Sequence, residues 1–254
     1  MDKKYKLTEE TISVNGRTLY CIEAIKDFSD VKKGDKGGYV EKEENLSQSG
    51  DCWAYDDAKV YDNSMVFGNA QVCGDAMVCG NAQIYNDAQI YNDAIVCGDA
   101  KVYGYAKVFD FAEVYGNAKV YDTAKVYDDA KIYGDAQVYG NAVVYGDTII
   151  CGNAKVYGNA KVYGEADVYD NAVVRDNAKV HGDAVVYGDA QVYGDAVVYG
   201  DAIVCGNAKI YGNAKVYGEA DVCDNAVVRD NAEVYEDAVV CGDMVVCGNA
   251  VVYD

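Results

Sequence analysis

Residues 155–166 read Lys-Val-Tyr-Gly-Asn-Ala-Lys-Val-Tyr-Gly-Glu-Ala, two copies of one six-residue unit. Followed outward in both directions, the unit runs from Trp53 to Asp254 without an inserted or deleted position. From Lys59 on, its second position is always Val or Ile, and its sixth is Ala except at Ser64, Thr148 and Met244. Side chains alternate faces along a strand, so in Ala-x-Val-Tyr the Ala and Val point one way while x and Tyr point the other. The fourth and fifth positions are mostly Gly, Asp or Asn, which tolerate left-handed backbone at a tight corner. Each hexad is therefore one short strand and one corner. That period predicts an all-β parallel β-helix, in which three hexads close a coil and stacked coils bury a core no single repeat could bury. The array amounts to about 11 coils.

Such strict repetition argues for one β-helical body, 46–254, preceded by a small hairpin cap and lead-in segment, 1–45. The absence of Pro suits a ladder that uses every backbone N–H. The first residues lack the apolar stretch of a signal peptide, and no apolar run is long enough for a membrane span, so a cytoplasmic protein is expected. Of the 10 Cys, eight occupy the outward Tyr slot, none forms a Cys-x-x-Cys and none has a His neighbour. They read as reduced thiols standing in for Tyr, with no metal and no cofactor expected. The net charge is −20, and 31 acidic against 13 basic residues fall in the array. This balance excludes direct binding to nucleic acid or an anionic membrane.

Residues 5–25 place Asn15-Gly16 between two apolar-rich segments, the signature of a hairpin with a type I′ turn. A charged, turn-rich segment, 27–38, follows and ends in Gly37-Gly38. Asp27-Phe28-Ser29-Asp30-Val31, Lys33-Gly34, Gly37-Gly38-Tyr39-Val40, Leu46-Ser47-Gln48 and Gly50-Asp51-Cys52-Trp53 resemble the N-terminal region of the YdcK-type hexapeptide-repeat proteins of bacteria. The repeat itself is similar to that of the wider hexapeptide-repeat superfamily. That resemblance implies a left-handed coil and a label of acyl- or acetyltransferase, which rests on fold alone.

Residues 18 apart stack on one face. The face of Tyr61 carries Cys79, Cys97, Cys151, Cys205, Cys223 and Cys241, with Ile95, Ile149, Ile203 and Val239 beside them. It is the least polar side and the expected interface. The last hexads add Val245, Cys247, Val251 and Tyr253, so pairing of C-terminal coils into a homodimer or trimer is expected. The other faces alternate Tyr with Lys or Gln as aromatic ladders that stabilise by stacking. Residues 150–178 and 204–232 nearly repeat, which puts Arg175 and Arg229 on one face as a candidate anion contact beside corner Asp residues.

Hexapeptide acyltransferases, as the resemblance implies, bind acyl-coenzyme A between neighbouring β-helices and use a His as general base. The one His here, His181, occupies an outward Tyr slot, and no loop interrupts the coils. The sequence therefore favours a non-enzymatic acidic scaffold or protein-binding module. An acidic mimic of nucleic acid that inhibits a DNA- or RNA-handling protein is the next reading, and acyl transfer through His181 is the third.

Overall fold

In the computed structural model, which describes residues 3–254, the chain is all-β: a parallel β-solenoid with an N-terminal antiparallel hairpin. It divides into two compact units, one ending at Thr123 and the other beginning at Ala124.

The first unit opens with β1 (Tyr5–Val14) and β2 (Arg17–Ala24), paired antiparallel. Asn15 and Gly16 between them have φ of 50° and 77°, both positive as a type I′ turn requires. β2 pairs antiparallel with β3 (Lys36–Val40), and β3 pairs parallel with Lys59–Val60. The hairpin thus covers the edge of one solenoid sheet, which would otherwise present unpaired backbone groups.

Gly37 and Gly38 lie inside β3 and not at the end of a turn-rich segment. The strand runs so close to the next coil that a Cβ on Gly37 would collide with the Ala54 carbonyl and lie 2.7 Å from the Trp53 ring.

The coil also begins earlier than residue 46. Val40 stacks on Val60, Leu46 bridges Val66, and β4 (Trp53–Ala54) pairs with Gln71–Val72. The inward positions are therefore Val40, Leu46 and Ala54, with two residues added in the last interval. Lys4 fills the distortion. Fully buried, its ammonium donates to the Gly50 and Cys52 carbonyls at 3.0 and 2.7 Å and to the Cys52 sulfur at 3.3 Å. The end of the core is plugged by Trp53, against which Tyr5 and Phe28 pack edge-on at 6.0 and 5.3 Å.

From there most hexads make a two-residue strand such as Lys119–Val120, and a few, such as Lys161–Gly164, make one of four residues. Pairing is parallel and in register 18 residues along, as in Val102↔Val120 in the first unit and Val156↔Val174 in the second. Ala118, Val120, Ala154 and Val156 are fully buried, while Lys119 and Lys155 on the same strands face outward. Burying one Val contributes roughly 1.5–3 kcal/mol. Ordering six residues of backbone costs about 1–2 kcal/mol each, so no hexad stands without neighbours above and below.

Corners follow the residue rule. Fourth positions are left-handed whether Gly (Gly158, φ 73°) or Asp (Asp122, φ 59°). An Asp there also bonds forward: Asp62, Asp128 and Asp230 accept from the N–H of Gly80, Gly146 and Gly248, one coil along, at 3.0–3.3 Å. At two sites where a hydroxyl replaces the inward Ala, it turns back on the backbone. Ser64 lies between the Tyr61 and Val78 carbonyls at 2.6 and 3.1 Å, and Thr148 donates to the Tyr145 carbonyl at 2.9 Å.

Candidate functional site

Every outward column is a stack at strand spacing, which fixes what each surface residue can do. Tyr85 and Tyr103 lie 4.8 Å apart and 3° from parallel, and Tyr145 and Tyr163 lie 5.0 Å apart at the same angle. Burial by neighbouring rings pushes the Tyr85, Tyr103 and Tyr163 hydroxyls above the ordinary phenol range. The ladders are packed surfaces before they are anything else.

His181 is one rung of such a ladder, 4.7 Å from Tyr163 and 5.2 Å from Tyr199. Its strand, Lys179–Gly182, pairs over four residues with Lys161–Gly164 and Val197–Gly200, which fixes the ring. Burial, then repulsion from Lys179, lowers its pKa below 6.5. At neutral pH it is an unprotonated imidazole, reachable only at its edge.

On the Cys-Ile-Val face, the Cys97, Cys151, Cys205, Cys223 and Cys241 side chains are half-buried, as are Ile95, Ile149 and Ile203. The strip of x positions is broken. Glu113 stacks on Ile95 in the first unit, and Asp167 and Asp221 stack on Ile149 and Ile203 in the second. All ten cysteines are free thiols. In the Cys79–Cys97 pair, hydrogen bonding from Cys97, with the Tyr61 hydroxyl, lowers the Cys79 thiol to about 7 and raises Cys97. Cys223 and Cys241 come together with Asp224, one ligand atom of each lying within 4.8 Å of the others.

Strongly exposed apolar groups lie at the last coils, Val239 of this same face among them, and on two corners of the first unit. Val239, Val245, Val251 and Tyr253 are 57%, 56%, 52% and 63% exposed, and Cys247 beside them is exposed too. Tyr105 and Phe111, at 65% and 61%, stand on two corners flanking the Lys107–Val108 strand of the first unit. Neither belongs to a third-position column, so the repeat does not single them out. The fifth-position rule does, because every other such residue from Asp57 onward is Asp, Asn, Glu or Thr.

Arg175 and Arg229 each turn onto their own corner carboxylates, Asp176 at 2.8 Å and Asp230 at 3.1 Å, and Arg175 also covers the Tyr193 ring at 4.1 Å. Both guanidinium groups are partly spent before any anion arrives.

The fifth-position corners divide the polar groups. In the second unit two corners carry amide ladders, for example Asn141 to Asn159 to Asn177 to Asp195 at 2.9–3.0 Å. The third carries exposed acids only: Asp129, Asp147, Glu165, Asp183, Asp201, Glu219 and Asp237. Negative charge is therefore concentrated on one edge.

A sequence profile for the YdcK β-solenoid repeat matches residues 70–86, 136–152 and 190–206. These three stretches are similar to the YdcK β-solenoid repeat. The uncharacterized acetyltransferase YdcK of Escherichia coli (strain K12) is 39% identical over 62 residues, covering 21% of this chain and 19% of that protein. The matched stretches lie in both units, and the match to the relative spans under a fifth of that protein's length. Among the described residues, no helix is long and apolar enough to cross a membrane.

Proposed function

We propose that the chain is a non-enzymatic, acidic β-solenoid scaffold that self-associates through the coil of residues 239–253. The observation that supports this is that Val239, Val245 and Val251, on three successive faces, take an outward slot that is charged or Gln in most coils, and each is more than half exposed. Tyr105 and Phe111 offer a second apolar contact for a protein partner. The test is sedimentation velocity at micromolar concentration across rising salt. Wild type is expected as a dimer or trimer that resists salt, because apolar contacts are not screened, and V245K/V251K as a monomer. A monomeric wild type, or an unaffected variant, sinks the proposal.

Two observations keep other readings in play. The acidic edge from Asp129 to Asp237 favours a nucleic-acid mimic, although its ~4.8 Å spacing differs from the ~3.4 Å of phosphates along one strand. Such a protein would form a salt-sensitive complex with a DNA- or RNA-handling partner. The neutral imidazole of His181, with the name carried by the relative, favours acyl transfer. That reading requires turnover of acetyl-coenzyme A that is abolished in H181A.

A further inference from the structure

Seven of the eight cysteines in outward slots are followed by Gly. Cys223 alone is followed by an acid, Asp224, and Cys205 and Cys241 occupy the same column on either side of it. The two strands carrying Cys223 and Cys241 are in register, with Val222 opposite Val240 and the Cys223 N–H donating to the Val240 carbonyl at 3.0 Å. Asp224 sits at φ 57°, and its Oδ2 accepts from the Gly242 N–H at 3.0 Å, which holds the carboxylate beside the thiols. Both sulfurs and an Asp224 oxygen lie within 4.8 Å of one another. In a tetrahedral site with metal–sulfur bonds of about 2.3 Å the sulfurs stand ~3.8 Å apart, so small side-chain rotations close the gap.

The chain contains its own comparison. Three coils earlier, Tyr169, Asp170 and Tyr187 occupy the equivalent positions. Asp170 makes the same bond, to the Gly188 N–H at 3.3 Å, and the two tyrosine rings stack at 5.1 Å. The corner Asp therefore serves the fold without thiols, and the thiol pair is an addition to it.

We propose that Cys223, Asp224 and Cys241 bind a thiophilic d10 cation, of which Zn²⁺ is the representative. Two thiolates and one carboxylate supply three ligands and leave the fourth position to water. The thiols release their protons to solvent as the metal binds. Soft sulfur ligands select this class over Mg²⁺ or Ca²⁺. Asp221, two residues before Cys223 on the same face, adds negative charge nearby. Cys205 lies outside the three-residue group.

The test is a Zn²⁺ titration of the reduced full-length chain against a chromophoric chelator, with Co²⁺ absorption as a second readout. Wild type is expected to bind one Zn²⁺ and to show a sulfur-to-cobalt charge-transfer band. C223Y/C241Y copies the native Tyr169 and Tyr187 arrangement and so keeps the fold. It should bind Zn²⁺ at least about tenfold more weakly and lose the band. C97Y, made in the Cys79–Cys97 pair, which forms no three-ligand group with a carboxylate among the described residues, should leave both readouts unchanged. The proposal is overturned if wild type takes up no Zn²⁺, or if C223Y/C241Y binds as tightly as wild type.

Discussion

The His181 imidazole lies 4.7 Å from the Tyr163 ring and 10° from parallel with it, a heterocycle seated in a column of phenols. Burial and Lys179 hold its pKa below 6.5, so the unfolded chain takes up a proton at a higher pH than the folded one. The associated stability is complete above about pH 6.5 and is lost as the pH falls through that value towards the folded pKa. Denaturation of wild type and H181Y at a series of pH values should give curves that diverge on acidification, with wild type losing more. Parallel curves would refute it.

Gly37 and Gly16 separate two ways in which a glycine can be required. A Cβ on Gly37 meets backbone and the Trp53 ring, whereas Gly16 has open space and only its φ of 77° to defend. G37A should cost about 3 kcal/mol and G16A about 1 kcal/mol. Urea midpoints in the reverse order would contradict the packing of β3.

Lys4 ties the hairpin to the irregular first coil through two carbonyls and a sulfur. K4M fills the space but leaves the buried Cys52 carbonyl without its 2.7 Å donor, at about 1–3 kcal/mol, while the carbonyl of the exposed Gly50 can turn to water. Hydrogen exchange should accelerate in residues 5–24 and 50–54 while the second unit keeps its protection. Uniform exchange across the chain would show that Lys4 does not anchor the cap.

The amide ladder predicts substitutions of opposite sign. Asn159 accepts from Asn141 and donates to Asn177, both at 3.0 Å. N159D can still accept but cannot donate, and should lose about 1 kcal/mol. Asp195 ends that ladder by accepting from Asn177 at 2.9 Å. D195N keeps the acceptor and adds a donor toward Asn213, so it should gain a few tenths of a kcal/mol or more. Thermal melts moving the same way for both variants would refute the ladder as a stabilising element.

The sequence by itself determined the coil. Period six, an unbroken inward Val or Ile, an inward Ala and a Gly, Asp or Asn corner leave one way to bury the apolar side, and the Asn15-Gly16 pair dictates its turn. Tertiary structure alone decided what lies where the period fails. Val40 and Leu46 belong to the first coil, but two added residues before Ala54 hide this from a six-residue count, and only three-dimensional packing brings Lys4 to the distortion. Gly37 looks like a turn glycine until the Ala54 carbonyl is seen against it. The meeting of Asp224 with Cys223 and Cys241 depends on coil stacking and on one hydrogen bond, from the Gly242 N–H to the Asp224 carboxylate. Period sets which side chains share a column, whereas side-chain direction and backbone approach set which of them touch.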